Sequence, residues 1–186
     1  MSFPSGADWP EWQRDHRYGA LVIEPPPEVA EVLNPIRERF DPVSADRASA
    51  HVTVTPPFVE GPTPAEESRV GSVVGRIGSM WLQLGTPEQF AGSSVIYLPV
   101  MNGEAVLRLR DVLLATGLFR LDLPHTTDFV PHLTISEMGA TPEAALRTII
   151  PAPAASAFHV AEIAWWVPDE AFRFTVHRTF ALEANE

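Results

Sequence analysis

Two short stretches decide how this chain is read: His51-Val52-Thr53-Val54 and Pro131-His132-Leu133-Thr134-Ile135. Each runs histidine, apolar residue, threonine, apolar residue. Side chains alternate between the two faces of an extended strand. His51 and Thr53 therefore point one way, and Val52 and Val54 the other. His132 and Thr134 share a face in the same manner, with Leu133 and Ile135 behind them. Each segment keeps an apolar face for a core and holds an imidazole and a hydroxyl above it. Two such strands side by side would bring two imidazoles and two hydroxyls to one spot. That is a set of acid, base and oxyanion-binding groups that requires no metal.

Composition bounds what such a site would serve. The 186 residues are 45% hydrophobic with a mean hydropathy of +0.01, values of a soluble globular chain able to bury a sizeable core. No apolar run approaches the roughly 20 residues that cross a bilayer, so no membrane partner is expected. Met1 to Arg17 carries Asp8, Glu11 and Asp15 among its tryptophans and is not expected to be a signal peptide. Cytoplasm is the default location. The absence of cysteine excludes disulfides, thiolate catalysis and cysteine zinc sites. The formal net charge is −11 and every cation is arginine. Long-range steering then opposes nucleic acid. DNA is not expected as a partner, and the ligand is expected to be small or a single RNA end.

Working outward from the motifs, Tyr18 to Ile23 reads as a strand stopped by Pro25-Pro26-Pro27. A helix follows with Val29, Val32, Leu33, Ile36 and Phe40 in one stripe. Pro35 should kink it or shift its start, Asp41-Pro42 ends it, and a polar loop leads to the first motif. Thr63-Pro64-Ala65-Glu66 is a capping box with proline in the first turn. It opens a helix whose buried face is Val70, Val73, Val74 and Ile77. Met80 to Leu84 and Ser94 to Val100 read as strands joined by a turn at Thr86-Pro87-Glu88. A helix over about Gly103 to Ala115, striped by Val106, Leu109, Val112 and Leu113, precedes a loop with His125 and Asp128 and then the second motif. A short helix from Thr141 through Ile149, a connector over 151–157 and a hairpin of Val160–Val167 with Phe172–Leu182 complete the reading. The class is α+β with mainly antiparallel pairing, and the motifs fall at corresponding places in two similar halves.

Six histidines are present. His16, His125 and His159 lack the pattern, and His177, in His177-Arg178-Thr179-Phe180, matches it. There, Phe172, Phe174, Val176 and Phe180 alternate with Arg173, Thr175, His177 and Thr179. The expected arrangement is a hairpin whose polar outer face meets water. The alternative sets Arg173 or His177 at the lip of the cleft.

The pair of His-x-Thr-apolar motifs resembles that of the two-histidine (2H) phosphoesterase superfamily, which contains proteins known as 2′-5′ RNA ligases and cyclic nucleotide phosphodiesterases. Ala50-His51-Val52-Thr53-Val54-Thr55-Pro56-Pro57-Phe58 is similar to its first motif, and Phe129-Val130-Pro131-His132-Leu133-Thr134-Ile135 to its second. The helix carrying Asn34-Pro35-Ile36-Arg37 and Asp41-Pro42 is also reminiscent of one branch. The resemblance implies two lobes whose mainly antiparallel sheets line a central cleft, with helices outside. It sets residues 17–182 as one bilobal domain, after an irregular N-terminal arm at 1–16 packed by its tryptophans and before a loose tail at 183–186.

What the resemblance implies chemically is a metal-independent phosphodiesterase, without cofactor, that hydrolyses a 2′,3′-cyclic phosphate on a nucleotide, an RNA end or a related small molecule. His51 and His132 would be the catalytic acid and base, and Thr53 and Thr134 would bind the phosphate oxygens. Two imidazoles with ordinary pKa near about 6.5 allow one neutral and one charged ring near neutrality. The alternatives are 2′-5′ RNA ligation, which the acidic charge opposes, and an inactive module that binds a nucleotide or a protein. A metal site is the weakest reading, since His and Thr two apart supply one good ligand per strand. Tyr18, Phe58, Phe129, Trp165 and Trp166 are aromatic candidates for a base platform. Trp165 and Trp166 must face opposite ways, so one of them is available.

Overall fold

The structure is a computed structural model and describes residues 3–124, 126–137 and 156–184. Seven strands form one sheet, and every pairing of its strands is antiparallel. Its elements in chain order begin with a single turn, α1 (Glu11–Arg14), then β1 (Ala20–Ile23), α2 (Pro27–Phe40), α3 (Pro42–Arg47) and β2 (Val52–Thr53). Next come α4 (Pro64–Val74), β3 (Met80–Gln83), β4 (Glu88–Gln89), β5 (Ile96–Pro99), α5 (Glu104–Leu114) and β6 (His132–Ser136). The chain ends with β7 (Ala157–Val160), β8 (Glu162–Pro168) and β9 (Phe174–Ala181). The large sheet runs β4-β5-β6-β2-β1-β8-β9, and β3 pairs with β7 in a second, two-stranded sheet. This is the α+β, mainly antiparallel architecture expected. Its two wings, β4-β5-β6 and β2-β1-β8-β9, meet at the two motif strands.

Alternation along each strand divides the large sheet into two faces. Leu21, Ile23, Val52, Val54, Leu133, Ile135, Leu98, Ile163 and Trp165 are buried on one of them. Val29 and Leu33 of α2, Val70 and Val74 of α4, and Val106, Leu109 and Leu113 of α5 close over that face in a single core. Full burial of a side chain such as Leu133 contributes about 1.5–3 kcal/mol. The opposite face carries the motif side chains and is not covered by these helices, so whatever the motifs do is done there.

Local signals explain most helix ends. Thr63 accepts from the Glu66 amide while the Glu66 carboxylate accepts from the Thr63 amide, the capping box expected. Asp41 stops α2 and caps α3, its carboxylate accepting from the Ser44 amide. Proline at the first turn lets α3 start at once, so the segment read as a polar loop contains a helix. Pro35 lies inside α2 without ending it.

Other departures are tertiary in origin. Met80–Gln83 does not form a hairpin with Ile96–Pro99. The two segments meet at the Leu84–Val100 bridge, because β3 buries Met80 and Leu82 against Phe158 and Val160 of β7. Val112 is 38% exposed, and Arg110 takes its place on the buried face of α5. Glu183 is tied down, its carbonyl accepting from the Ser79 amide and its amide donating to Ile77; the tail read as loose from 183 is held at its first residue. The helix expected at 141–149 and residues 151–155 of the connector lie outside the described residues. No helix among the described residues is long and apolar enough to cross a membrane.

The hairpin of β8 and β9 hides a change of face. Trp165 pairs with Arg178 but Trp166 with Val176, so His177 is an extra residue in a bulge. Beyond it the alternation is reversed. Phe180 joins the main core, whereas Phe174 packs with Val22, Ala164 and Trp166 on the motif face. The single apolar stripe expected from Phe172 to Phe180 is thus split between both faces.

Candidate functional site

The motif strands lie side by side. Val52 pairs with Leu133 in an antiparallel register. Continuing that register one residue each way sets His51 opposite Thr134 and Thr53 opposite His132, at the roughly 4.5–5.5 Å Cα spacing of such pairs. Because Val52 and Leu133 are fully buried in the core, their neighbours must face the other way. All four predicted site residues therefore share one patch, arranged as a diagonal pair of imidazoles and a diagonal pair of hydroxyls.

The two rings are held alike. His51 Nδ1 is 2.7 Å from the Ser49 carbonyl oxygen, and His132 Nδ1 is 2.6 Å from that of Val130. A carbonyl only accepts, so each Nδ1 carries a proton and each Nε2 is left to meet a ligand. The spacing is the same in both motifs: each histidine donates to the residue two positions before it, where the chain enters the strand.

Two arginines brace the motif strands, each reaching from one half of the chain to the other. Arg37 of α2 donates from Nε to the Thr134 carbonyl at 3.0 Å and from Nη1 to the Ala48 carbonyl. Arg110 of α5 donates to the Val54 carbonyl at 2.7 Å and to the Thr126 carbonyl at 2.9 Å. Its guanidinium also lies 4.0 Å from the centre of the Phe129 ring. Both are almost fully buried, where an unsatisfied carbonyl or an unpaired charge is costly. Motif-based reading missed both. Their signal was position: Arg37 continues the Val29, Leu33 row, and Arg110 falls four residues after Val106, so the helical period assigns each arginine to the buried face.

The surroundings of the two histidines differ. A cavity of about 430 Å³ takes His51, Thr53, Arg37 and Arg110 into its wall, with Trp166 alongside. His132 and Thr134 do not line it. The Trp166 ring centre lies 4.7 Å from that of His51. His132 instead meets Phe90 and Tyr97 edge-on, at 5.0 and 5.3 Å, and the Tyr97 hydroxyl donates to Glu88 at 3.0 Å. Burial lowers the pKa of both imidazoles. His51 is pushed down to about 4, first by desolvation and further by the charges of Arg37 and His132. Both rings are thus neutral at pH 7 when the site is empty, unlike the ordinary pair expected from the motifs.

Of the aromatic candidates, Trp166 and Phe129 line the cavity. Trp165 and Phe58 belong to the core, and the Trp165 indole donates to the Tyr18 carbonyl. His177 stands edge-on to Trp165 at 4.4 Å, and Arg173 pairs with Asp46 at 3.1 Å; neither lines the cavity. Among the described residues, no three His, Asp or Glu side chains gather as a metal-binding group.

Comparison with known proteins places the family and the fold. Residues 25–172 match the family model of the 2′-5′ RNA ligase superfamily. Escherichia coli LigT complexed with 3′-AMP is similar in structure, with a TM-score of 0.61 at 20% identity over 88% of this chain and 96% of that one. A protein described as a phosphoesterase matches with a TM-score of 0.61 at 21% identity, over 88% and 97%. TT0787 of Thermus thermophilus matches with a TM-score of 0.59 at 18% identity, over 90% and 98%. At these identities the likeness is one of fold. No curated protein matches in sequence.

Proposed function

This chain belongs to the 2′-5′ RNA ligase superfamily, the 2H phosphoesterases, and from that premise we propose that it is a metal-independent phosphodiesterase that opens a 2′,3′-cyclic phosphate with His51 and His132 as its general acid and base. The observation that carries the reading is the register of β2 and β6, which sets His51 across from Thr134 and Thr53 across from His132. In-line attack on phosphorus needs a base on the water side and an acid on the leaving-oxygen side. Two imidazoles with both Nε2 atoms turned to the same patch suit that task. Thr53 and Thr134 lie between them and donate to the non-bridging oxygens as charge builds there.

The protonation states follow from burial. His51 stays neutral and serves as base, taking the proton of the attacking water. The less strongly depressed His132 is the one charged by the arriving phosphate, and it protonates the departing ribose oxygen. The water oxygen bonds to phosphorus as the ribose oxygen leaves, and one ring gains the proton the other loses. Binding of 3′-AMP and ATP by LigT supports a nucleotide as ligand. The net charge of −11 disfavours ligation, in which two polyanionic ends must be held together.

The test is turnover of the four 2′,3′-cyclic nucleoside monophosphates in EDTA. Turnover by the parent, lost in His51→Ala and His132→Ala, is expected. Activity that disappears with EDTA and returns with a divalent ion would overturn the mechanism.

A further inference from the structure

The cavity that opens at His51 does not end at the motif strands. Part of its wall is built by the N-terminal segment, with Trp12 and His16 against Phe172 at the tip of the β8–β9 hairpin and Arg47 of α3 over the Trp12 ring. The family match begins at residue 25, so this wall is supplied by a stretch outside the matched part of the chain.

The segment is anchored rather than draped. Trp9 is 7% exposed, its ring stands edge-on to Phe172 at 5.1 Å, and its indole donates to the Glu170 carbonyl. Arg120 pairs with Asp15 at 2.9 Å. Gly19, with φ +72, then turns the chain into β1 where a Cβ would lie 1.8 Å from the Trp166 carbonyl oxygen; only glycine fits that approach. Phe172 itself is held at φ +61, a conformation that bulky residues rarely adopt, with three aromatic rings within 5.3 Å of its own.

Against this fixed frame Trp12 stands out. It is 48% exposed, packs edge-on to Phe172 at 5.3 Å and has the Arg47 guanidinium 5.6 Å from its ring centre. In the same wall the hydroxyl of Ser44 is buried and has no hydrogen-bond partner among the described residues. A half-exposed indole and an unsatisfied buried hydroxyl lining one cavity are what a flat ring with polar edges would complete.

Resting on the phosphodiesterase reading, we propose that Trp12, Ser44, Arg47 and Phe172 form a subsite for the nucleobase of the substrate whose cyclic phosphate meets the two histidines. Trp12 stacks on the base and Ser44 bonds its polar edge. The volume, about 430 Å³, is that of a site for one small molecule. The substrate class is then a mononucleoside cyclic phosphate, with purines held more tightly than pyrimidines because they stack over a larger area.

The experiment compares kcat/KM for 2′,3′-cyclic AMP with that for the base-free 1,2-cyclic phosphate of glycerol, in the parent, Trp12→Ala and Trp12→Phe. A ratio cancels any loss of folded protein in a variant. In Trp12→Ala the ratio is expected to fall roughly tenfold, the scale of losing one base–aromatic stack, and Trp12→Phe should restore most of it. An unchanged ratio overturns the subsite. Should the parent turn over neither compound, the phosphodiesterase reading fails, and calorimetric titration with 3′-AMP decides the subsite separately. Tight binding weakened about tenfold by Trp12→Ala supports it, whereas equal binding, or none to the parent, overturns it.

Discussion

The first motif and the second carry the same pattern of histidine, apolar residue, threonine and apolar residue, yet they sit in different halves of the sheet and in different company. His51 is backed by an indole and lines the cavity. His132 is rimmed edge-on by Phe90 and Tyr97 outside it. What they share is set close to the backbone: strand alternation, the Nδ1 bond to the residue two before, and a buried arginine from the opposite half. What differs is set by neighbours. The comparison teaches that matching motif residues acquire unequal pKa values from their walls, which is what the proposed division into acid and base requires.

The largest expected effect tests the shared part. His51→Ala and His132→Ala should each lower kcat for a 2′,3′-cyclic nucleotide by about 10²–10⁴. If one variant keeps near-parental turnover in a steady-state assay, the rings are not a working pair. The braces come next. Arg37→Met and Arg110→Met each leave two carbonyls unanswered and should cost on the order of 3 kcal/mol in urea unfolding. Equal losses would show the cross-bracing to be as symmetric in energy as in geometry.

The difference between the halves is sharpened by pH. kcat/KM reports the free enzyme, so the lowered values of both rings put its optimum below about 6.5 and its acid limb near 4. Proton NMR of the two imidazoles should show His51 titrating lower than His132. The linkage has a definite sign. A folded-state pKa below the unfolded value means the unfolded chain binds more protons between about 6.5 and 4. Stability is retained at higher pH and falls as pH drops through that window, and His51→Gln should flatten the fall in the urea midpoint.

Smaller effects follow. Thr53→Ala and Thr134→Ala each remove one hydroxyl that water partly replaces, with an expected loss of about three- to tenfold in kcat. Tyr97→Phe deletes the bond to Glu88 beside His132 only, and should shift the His132 titration while moving kcat by about twofold or less. A shift of the His51 titration in that variant would show the two walls to be coupled.

Much of this was legible before any folding. The capping box at Thr63 and the stripes through Val29 and Leu33 and through Val106 and Leu109 depend on residues three and four apart, and a one-dimensional reading sees them. The split of the β8–β9 hairpin was not legible, because one extra residue at His177 reverses a face and no composition marks it. Nor was α3, where the cap is an aspartate that also closes the preceding helix. The helical period puts Arg37 and Arg110 on buried faces, but what makes them braces is a carbonyl nearly a hundred residues away for one and more than fifty for the other.

The sequence by itself determined that two strands would each show an imidazole and a hydroxyl on one face, since alternation is a property of the backbone alone. It also set the net charge of −11. The tertiary structure decided that these strands adjoin, in a register that crosses histidine with threonine, because pairing between distant segments is settled by burial of Val52 and Leu133 in a common core. It also decided that the N-terminal segment would line the cavity, through Trp12, Asp15 and His16. The reason is the same in each case: local geometry follows from neighbours along the chain, whereas register, enclosure and pKa follow from neighbours that only packing supplies.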